Sequence, residues 1–348
     1  MRIILTVDPI IPVPPRFYGG IERIVDFLTK GLAAHGYDVS LLAHPDSETG
    51  GTLIPYGTPP HFGTRARVTE LRAVGKTLWA MRNDVDLVHS FGRLAALVPV
   101  LPMRRLPKIQ SYQRRLVPWQ SVRVATALGG KSMLFTACST SVYRPGGIHE
   151  PAGRWVTVFN GVELSHYTFR ETVPEDAPLV FLGRLERIKG VHNAIAIARR
   201  ANRKLVIAGN RVDAPDDPKY FENEIEPALK SGDVEYIGPV DDTQKDTLLG
   251  GAAALLMPIE WDEPFGIVMA EALACGTPVI GFARGSVPEV IRDGVTGFVV
   301  NNVDGAVDRV GKLARLSRAE ARADCENCYS DVAIVSAYEK LYQQMARQ

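Results

Sequence analysis

Six apolar residues, Ala252 to Met257, end at Pro258, and a helix-compatible run follows only from Ile267. A continuous apolar run of that length reads as a strand buried on both faces, the kind found inside parallel sheets. Pro258 cannot continue its ladder. The loop that follows, Ile259-Glu260-Trp261-Asp262-Glu263-Pro264-Phe265-Gly266, takes its shape from Pro264 and Gly266. Val268, Ala272 and Cys275 then recur at helical spacing, and Gly276 stops the helix before Pro278. This stretch is therefore a strand–loop–helix unit, and a chain built of such units folds as α/β. Glu263 falls on the loop and Glu271 about two turns away, inside the helix. The N–H groups of Gly266, Ile267 and Val268 lie where a helix start leaves donors unpaired, a setting that suits a diphosphate.

The same alternation recurs from the first residue. Arg2 to Val7 is a short β-branched strand, a proline-rich loop leads to Gly19-Gly20, and a helix runs to Ala34 with Ile24, Val25, Leu28 and Leu32 on one face. Asp38 to Ala43 is the next strand, which opens a doubly wound parallel sheet. Val85 to His89, Lys108 to Ser111 and Leu134 to Ser139 are further strands of it. A second sheet opens at Leu179 to Leu182 and continues with Lys204 to Gly209, Val234 to Gly238, Ala252 to Met257, Pro278 to Phe282 and Gly297 to Val300. Its helices are expected at Val191 to Ala201, at Thr243 to Ala253 and from Gly285-Ser286 onward. The final helix, Ala333 to Met345, carries an apolar stripe of Val335, Tyr338, Leu341, Tyr342 and Met345. At 348 residues the chain exceeds a typical single core. Arg154 to Glu163, with Asn160-Gly161 inside it, is the expected hinge.

Several residue types project where chemistry is done. Arg184 and Lys189 flank the turn after a strand and are expected at the carboxyl edge of the second sheet, where two fixed cations can face a departing diphosphate. His89 ends a strand of the first sheet, at the edge where open α/β sheets bind ligands. It is expected to meet a ligand there, with a strand-capping role as the plain alternative.

The loop and helix, read as E-P-F-G-x-x-x-x-E-A-x-A-x-G-x-P-V from Glu263, resemble the signature of the retaining glycosyltransferases of family 4. Gly19-Gly20-Ile21-Glu22 is similar to that family's G-G-x-E element, and His89 to its strand-end histidine, although Phe91 stands where a second histidine is expected. Asn160-Gly161-Val162 resembles its N-G-V element and Gly183-Arg184 to Lys189-Gly190 its G-R-x-x-x-x-K-G element. The resemblance implies the GT-B fold: two Rossmann-like doubly wound parallel-sheet domains facing an interdomain cleft. The expected divisions are an acceptor-binding domain at 1–160, a nucleotide-sugar domain at 161–330, and a helix at 331–348 packing back on the first domain. It further implies that Glu271 binds a ribose diol, while Glu263 with the Phe265-Gly266 backbone holds sugar hydroxyls. Arg184, Lys189 and the N–H groups near Ile267 and Val268 would take the diphosphate charge. Gly19, Gly20 and Gly183 would face the donor, and Val240 would meet the base through backbone. His89, Arg184, Lys189 and Glu263 are the expected catalytic residues. The expected reaction is retaining transfer of a hexose-type sugar from a nucleotide-diphosphate sugar, UDP first and GDP second. The expected acceptor is a hydroxyl of a glycan, glycolipid or small molecule. No D-x-D element accompanies the site, so no metal or other cofactor is expected. A sugar-nucleotide epimerase of the same fold, or a non-catalytic nucleotide-sugar or membrane-binding protein, is the alternative reading.

Charge is unevenly placed. Residues 1–160 hold nineteen Lys and Arg against ten Asp and Glu, and no acid lies between Asp86 and Glu150. Arg104, Arg105, Lys108, Arg114, Arg115 and Trp119 fall in that stretch. They are expected to form a surface for an anionic acceptor or an anionic membrane, with a solvated basic face as the alternative. No nucleic-acid module is recognisable, so nucleic acid is not an expected partner. Four cysteines make no disulfide framework, and the Cys325/Cys328 pair lies alone on a helical stretch. No secretory leader and no run of about twenty apolar residues is present. The expected location is cytoplasmic, or peripheral on the inner face of a membrane.

Overall fold

The computed structural model describes residues 1–15, 19–57, 63–145, 150–212 and 217–347. They form two compact units, Met1–Gly161 with Asp331–Gln348, and Val162–Ser330.

The first unit is built on a seven-stranded sheet. Its strands are β1 (Arg2–Thr6), β2 (Asp38–Ala43), β3 (Thr52–Pro55), β4 (Leu87–Ser90), β5 (Lys108–Tyr112), β6 (Met133–Ala137) and β7 (Trp155–Thr157). All pairs are parallel, in the order β3-β2-β1-β4-β5-β6-β7. β1, β4 and β6 are buried nearly end to end, which is what covering a sheet on both faces demands of its sequence. One face packs the helix Gly20–Ala34, through Ile24, Val25, Leu28 and Leu32, and the helix Asp331–Ala346, through Ile334, Val335, Tyr338, Leu341, Tyr342 and Met345. The other face packs Val74 and Leu78 of the helix Thr64–Met81 together with Leu94, Leu97 and Val100.

Several elements here go beyond the sequence-based expectations, among them β3, β7 and the helices Thr64–Met81 and Trp119–Gly129. β3 and the helix Thr64–Met81 lie where no element is predicted. β3 is a four-residue edge strand, and the helix buries only Glu70, Val74, Gly75 and Leu78, too thin a stripe to announce itself. β7 falls inside the expected hinge. The Trp155 ring stacks on Phe135 and Tyr143, with centroids at 5.0 and 5.1 Å, and this holds the strand at the sheet edge.

The second unit holds β8 (Leu179–Leu182), β9 (Leu205–Ala208), β10 (Val234–Tyr236), β11 (Ala254–Met257), β12 (Val279–Phe282) and β13 (Gly297–Val300). These six are parallel in the order β10-β9-β8-β11-β12-β13. Both sheets therefore reverse strand order once, between β1 and β4 and between β8 and β11. At such a point the connections leave in opposite directions, and a crevice opens outside the carboxyl ends of the two strands.

Candidate active site

The reversal in the second unit brings together the turn after β8 and the loop after β11. Gly190, at φ +76°, lies so close to that loop that a Cβ would stand 2.0 Å from the Pro258 carbonyl oxygen. The Glu260 N–H donates to Ile188 O at 2.9 Å, which pins the two segments side by side. Lys189 Nζ consequently lies 2.5 Å from Glu263 Oε2, with the side chains 17% and 12% exposed. Trp261 closes the group: its Nε1–H donates to the same Oε2 at 3.1 Å, and its ring lies 4.7 Å from the ammonium. Both hydrogen bonds to Glu263 thus fall on one carboxylate oxygen.

A third segment supports Glu263 from behind. Ser286 donates its N–H to Glu263 O at 2.9 Å and its hydroxyl to Phe265 O at 2.8 Å. Gly285, at φ +55°, makes that approach feasible, since a Cβ there would lie 2.4 Å from the Glu263 backbone. No role was expected of Gly285 or Ser286 beyond starting a helix.

Glu271 is held in the same manner by different partners. Lys245 Nζ is 2.7 Å from its Oε1, and the Tyr167 hydroxyl donates to that oxygen at 2.9 Å. Burial acts to lower the Lys245 pKa, but the charges of Glu271 and Asp242 outweigh it and the net shift is upward. Neither Lys245 nor Tyr167 was expected at the site. Lys245 stands on the helix Asp242–Gly250, whose capping box, Asp241 with Gln244, sets where the helix begins. Tyr167 is 104 residues from Glu271, and no local pattern links them.

Between the two glutamates the helix Ile267–Ala274 starts after Gly266. Among the described residues the N–H groups of Ile267 and Val268 meet no acceptor. Phe265 contributes only its backbone, because its ring is buried against Tyr329. Gly183 follows β8 directly, and Arg184, 44% exposed at its side chain, pairs with Glu186 at 2.7 Å. Val240 is half-buried on the loop after β10, beside the Asp241 cap. The structure therefore joins Lys189 to Glu263 directly. Arg184 and Glu271 find partners of their own.

In the first unit Gly19 and Gly20 start the helix Gly20–Ala34, and the Glu22 carboxylate lies against them: a Cβ on Gly19 would be 2.9 Å from its Oε2. Desolvation pushes the Glu22 carboxyl upward. His89 requires a correction. It does not reach outward from the strand end but is fully buried, with Nδ1 2.6 Å from the Tyr342 hydroxyl and Nε2 2.7 Å from Ser111 Oγ. Burial drives its pKa down to about 3, so the ring is neutral and both nitrogens are engaged inside the unit. Its side chain alternates to the face covered by the last helix, which strand polarity dictates once the sheet order is known.

The basic stretch divides. Lys108 also requires correction: it is fully buried, and its ammonium donates to the carbonyls of Val100, Leu101 and Met103 at 3.2, 3.2 and 2.7 Å. It closes a helix end and presents nothing to a partner. Arg104, Arg105, Arg114 and Arg115 are exposed. Trp119 begins the helix Trp119–Gly129 and packs on Trp155, with centroids at 5.8 Å. No helix among the described residues is long and apolar enough to cross a membrane.

Residues 18–166 match the family model described as Glycosyltransferase Family 4, and residues 168–327 match that described as Glycosyl transferases group 1. A glycogen synthase of Mycobacterium tuberculosis is 28% identical over 332 residues, spanning 82% of this chain and 79% of that protein. A D-inositol 3-phosphate glycosyltransferase of Mycobacterium leprae is 34% identical over 160 residues, 43% of this chain and 36% of that one. The crystal structure of AviGT4, a glycosyltransferase involved in avilamycin A biosynthesis, superposes with a TM-score of 0.71 at 26% identity, covering 99% of this chain and 98% of that one. With two parallel-sheet units of this order and a family match on each, the chain belongs to glycosyltransferase family 4 and is a group 1 glycosyltransferase of the GT-B fold.

Proposed function

We propose that the protein transfers a hexose-type sugar from a nucleotide-diphosphate sugar to an acceptor hydroxyl, with retention at the anomeric carbon and without a metal. One observation carries this reading: two lysine–glutamate pairs flank a helix start whose amides have no acceptor among the described residues. In each pair the protein's own donors occupy one carboxylate oxygen, Oε2 of Glu263 and Oε1 of Glu271. The other oxygen of each is left to accept from a diol. Glu271, inside the helix, takes the ribose, and Glu263, on the loop, takes the sugar hydroxyls.

The diphosphate then lies over the Ile267 and Val268 amides, with Lys189 and Arg184 as its cations. Charge developing on the leaving phosphate is met by fixed donors that need little reorganisation, the arrangement that stabilises a transition state most effectively. Lys189 is paired with Glu263 in the resting site, so donor binding redistributes that pair toward the incoming diphosphate. Attack and departure on the same face, with the leaving phosphate taking the acceptor proton, need no protein nucleophile.

UDP is the first choice of nucleotide and GDP the second. Calorimetry with UDP, GDP and ADP tests the site, and NMR of the product anomer tests retention. Full turnover in excess EDTA is expected. Binding of no nucleoside diphosphate, or an inverted product, would refute the reading. Conversion of the donor sugar without an acceptor would favour an epimerase.

A further inference from the structure

Glu260 opens the loop that carries Glu263, and its side chain has no part in the donor reading. It is nonetheless tied by both backbone and carboxylate. Its N–H donates to Ile188 O, and its Oε1 accepts from His192 Nε2 at 3.0 Å and from Asn193 Nδ2 at 3.1 Å. His192 and Asn193 lie in the first turn of the helix Val191–Arg200, which starts after the left-handed Gly190. Lys189 and His192 therefore flank one glycine and reach the same loop, Lys189 at Glu263 and His192 at Glu260. In sequence, Trp261 falls between these two bridges.

The His192 bridge is oriented from behind. Tyr220 is 2% exposed, and its hydroxyl lies 3.0 Å from the His192 N–H and 2.8 Å from Nδ1. The Arg187 guanidinium stands 5.0 Å from the Tyr220 ring centroid and is itself anchored by Asp217 at 2.7 Å and Glu224 at 3.2 Å. Proton counting fixes the tautomer. An ionised carboxylate only accepts, so His192 Nε2 carries the hydrogen that meets Glu260. The Tyr220 oxygen accepts from the backbone N–H, and its own hydrogen goes to Nδ1, the bare nitrogen of that tautomer. Burial keeps that hydroxyl protonated, its pKa pushed up to about 12. With the ring neutral every one of these groups has a partner, and the imidazole has a single orientation.

A Glu260 side chain 41% exposed contributes little to stability through such contacts, because water replaces them. Two donors on one oxygen supply direction instead. Glu260 is joined to Trp261, whose ring faces the Lys189 ammonium and whose Nε1–H shares Glu263 Oε2 with it. We infer that His192 and Glu260 are positioning residues: their bridge sets Trp261, and through it the Lys189–Glu263 pair, in the arrangement that meets the donor sugar. That this serves transfer rests on the donor reading above; that the bridge sets Trp261 does not.

Trp261 is its own reporter. A proton–nitrogen NMR spectrum of the full chain carries four tryptophan indole signals, and Trp261→Phe identifies the one in question. Glu260→Ala and His192→Phe are each expected to move or broaden that signal. Glu260→Gln, which keeps an oxygen for His192 and Asn193, should leave it in place. Thermal midpoints of the Glu260 variants should stay close to wild type. UDP should bind Glu260→Ala within about twofold of wild type, because Lys245 and Tyr167 hold Glu271 independently. The kcat for release of UDP from UDP-glucose to water should fall about tenfold in Glu260→Ala, well within what a sub-ångström misplacement costs, and recover in Glu260→Gln. The inference is overturned if Glu260→Ala and His192→Phe both leave the indole signal unmoved, if Glu260→Gln moves it as far as Glu260→Ala does, or if turnover and UDP affinity fall together. A wild type that binds neither UDP nor GDP would instead remove the donor reading, while the indole signal still decides whether the bridge sets Trp261.

Discussion

Lys245 grips Glu271: Nζ and Oε1 are 2.7 Å apart, on side chains 15% and 11% exposed. The carboxylate proposed to hold the ribose is therefore oriented before any nucleotide arrives, and a preoriented acceptor loses less freedom on binding. Removing the lysine should leave Glu271 charged and largely buried, with Tyr167 as its remaining side-chain donor among the described residues. Lys245→Met is expected to lower stability by about 3 kcal/mol, the usual cost of breaking one side of a buried pair, and to weaken UDP binding about tenfold. Lys245→Arg should restore part of both. Because the folded Lys245 pKa lies above its ordinary 10.5, the stabilisation is fully present at neutral pH and is lost only as pH rises through the folded value. Urea melts of wild type and Lys245→Met should therefore differ by a constant amount through neutral pH and converge only under strongly alkaline conditions.

Glu263 is assigned to the sugar and not to the nucleotide, and the two are separable. Glu263→Gln should cut turnover more than about tenfold, as expected when a transition-state contact is lost, while UDP alone binds nearly as before. Equal losses of UDP and UDP-sugar affinity would instead place Glu263 at the nucleotide.

Gly285 tests the support behind that loop without touching any charged group. Gly285→Ala would place a methyl 2.4 Å from the Glu263 backbone at φ +55°. The expected result is a native circular dichroism spectrum, a stability loss of about 1–3 kcal/mol, and a fall in turnover resembling that of Glu263→Gln.

His89 should influence stability and not chemistry. Its folded pKa of about 3 lies below the ordinary 6.5, so the unfolded chain binds the extra proton between those values. Its contribution is thus fully present above pH 6.5 and is lost as pH falls toward 3. His89→Gln should flatten the stability profile over that acid range and leave turnover at neutral pH within about threefold, under one tenfold step in barrier terms. A larger fall in turnover with unchanged stability would return His89 to the reaction.

Much of the site was legible because its framework is local. The spacing from Glu263 to Glu271 is fixed by one loop and one helix, so the strand-ending Pro258, the Gly266 start and the Gly276 stop could be read directly from their order. Lys189 was legible for the same reason, as the cation that follows a strand. Its bond to Glu263, 74 residues away, was not.

Sequence alone determined the alternation of short apolar strands with one-faced helices, and with it two parallel sheets, since hydrophobic period and turn chemistry act over a few residues. Tertiary structure decided what depends on which strands become neighbours. It turned His89 inward to Tyr342, 253 residues along the chain, and buried the Lys108 ammonium in a cage of carbonyls. It supplied Glu271 with Lys245 and Tyr167, and it set His192 and Asn193 on Glu260. Periodicity tells a side chain to face a core, but strand order settles which core and which groups wait there.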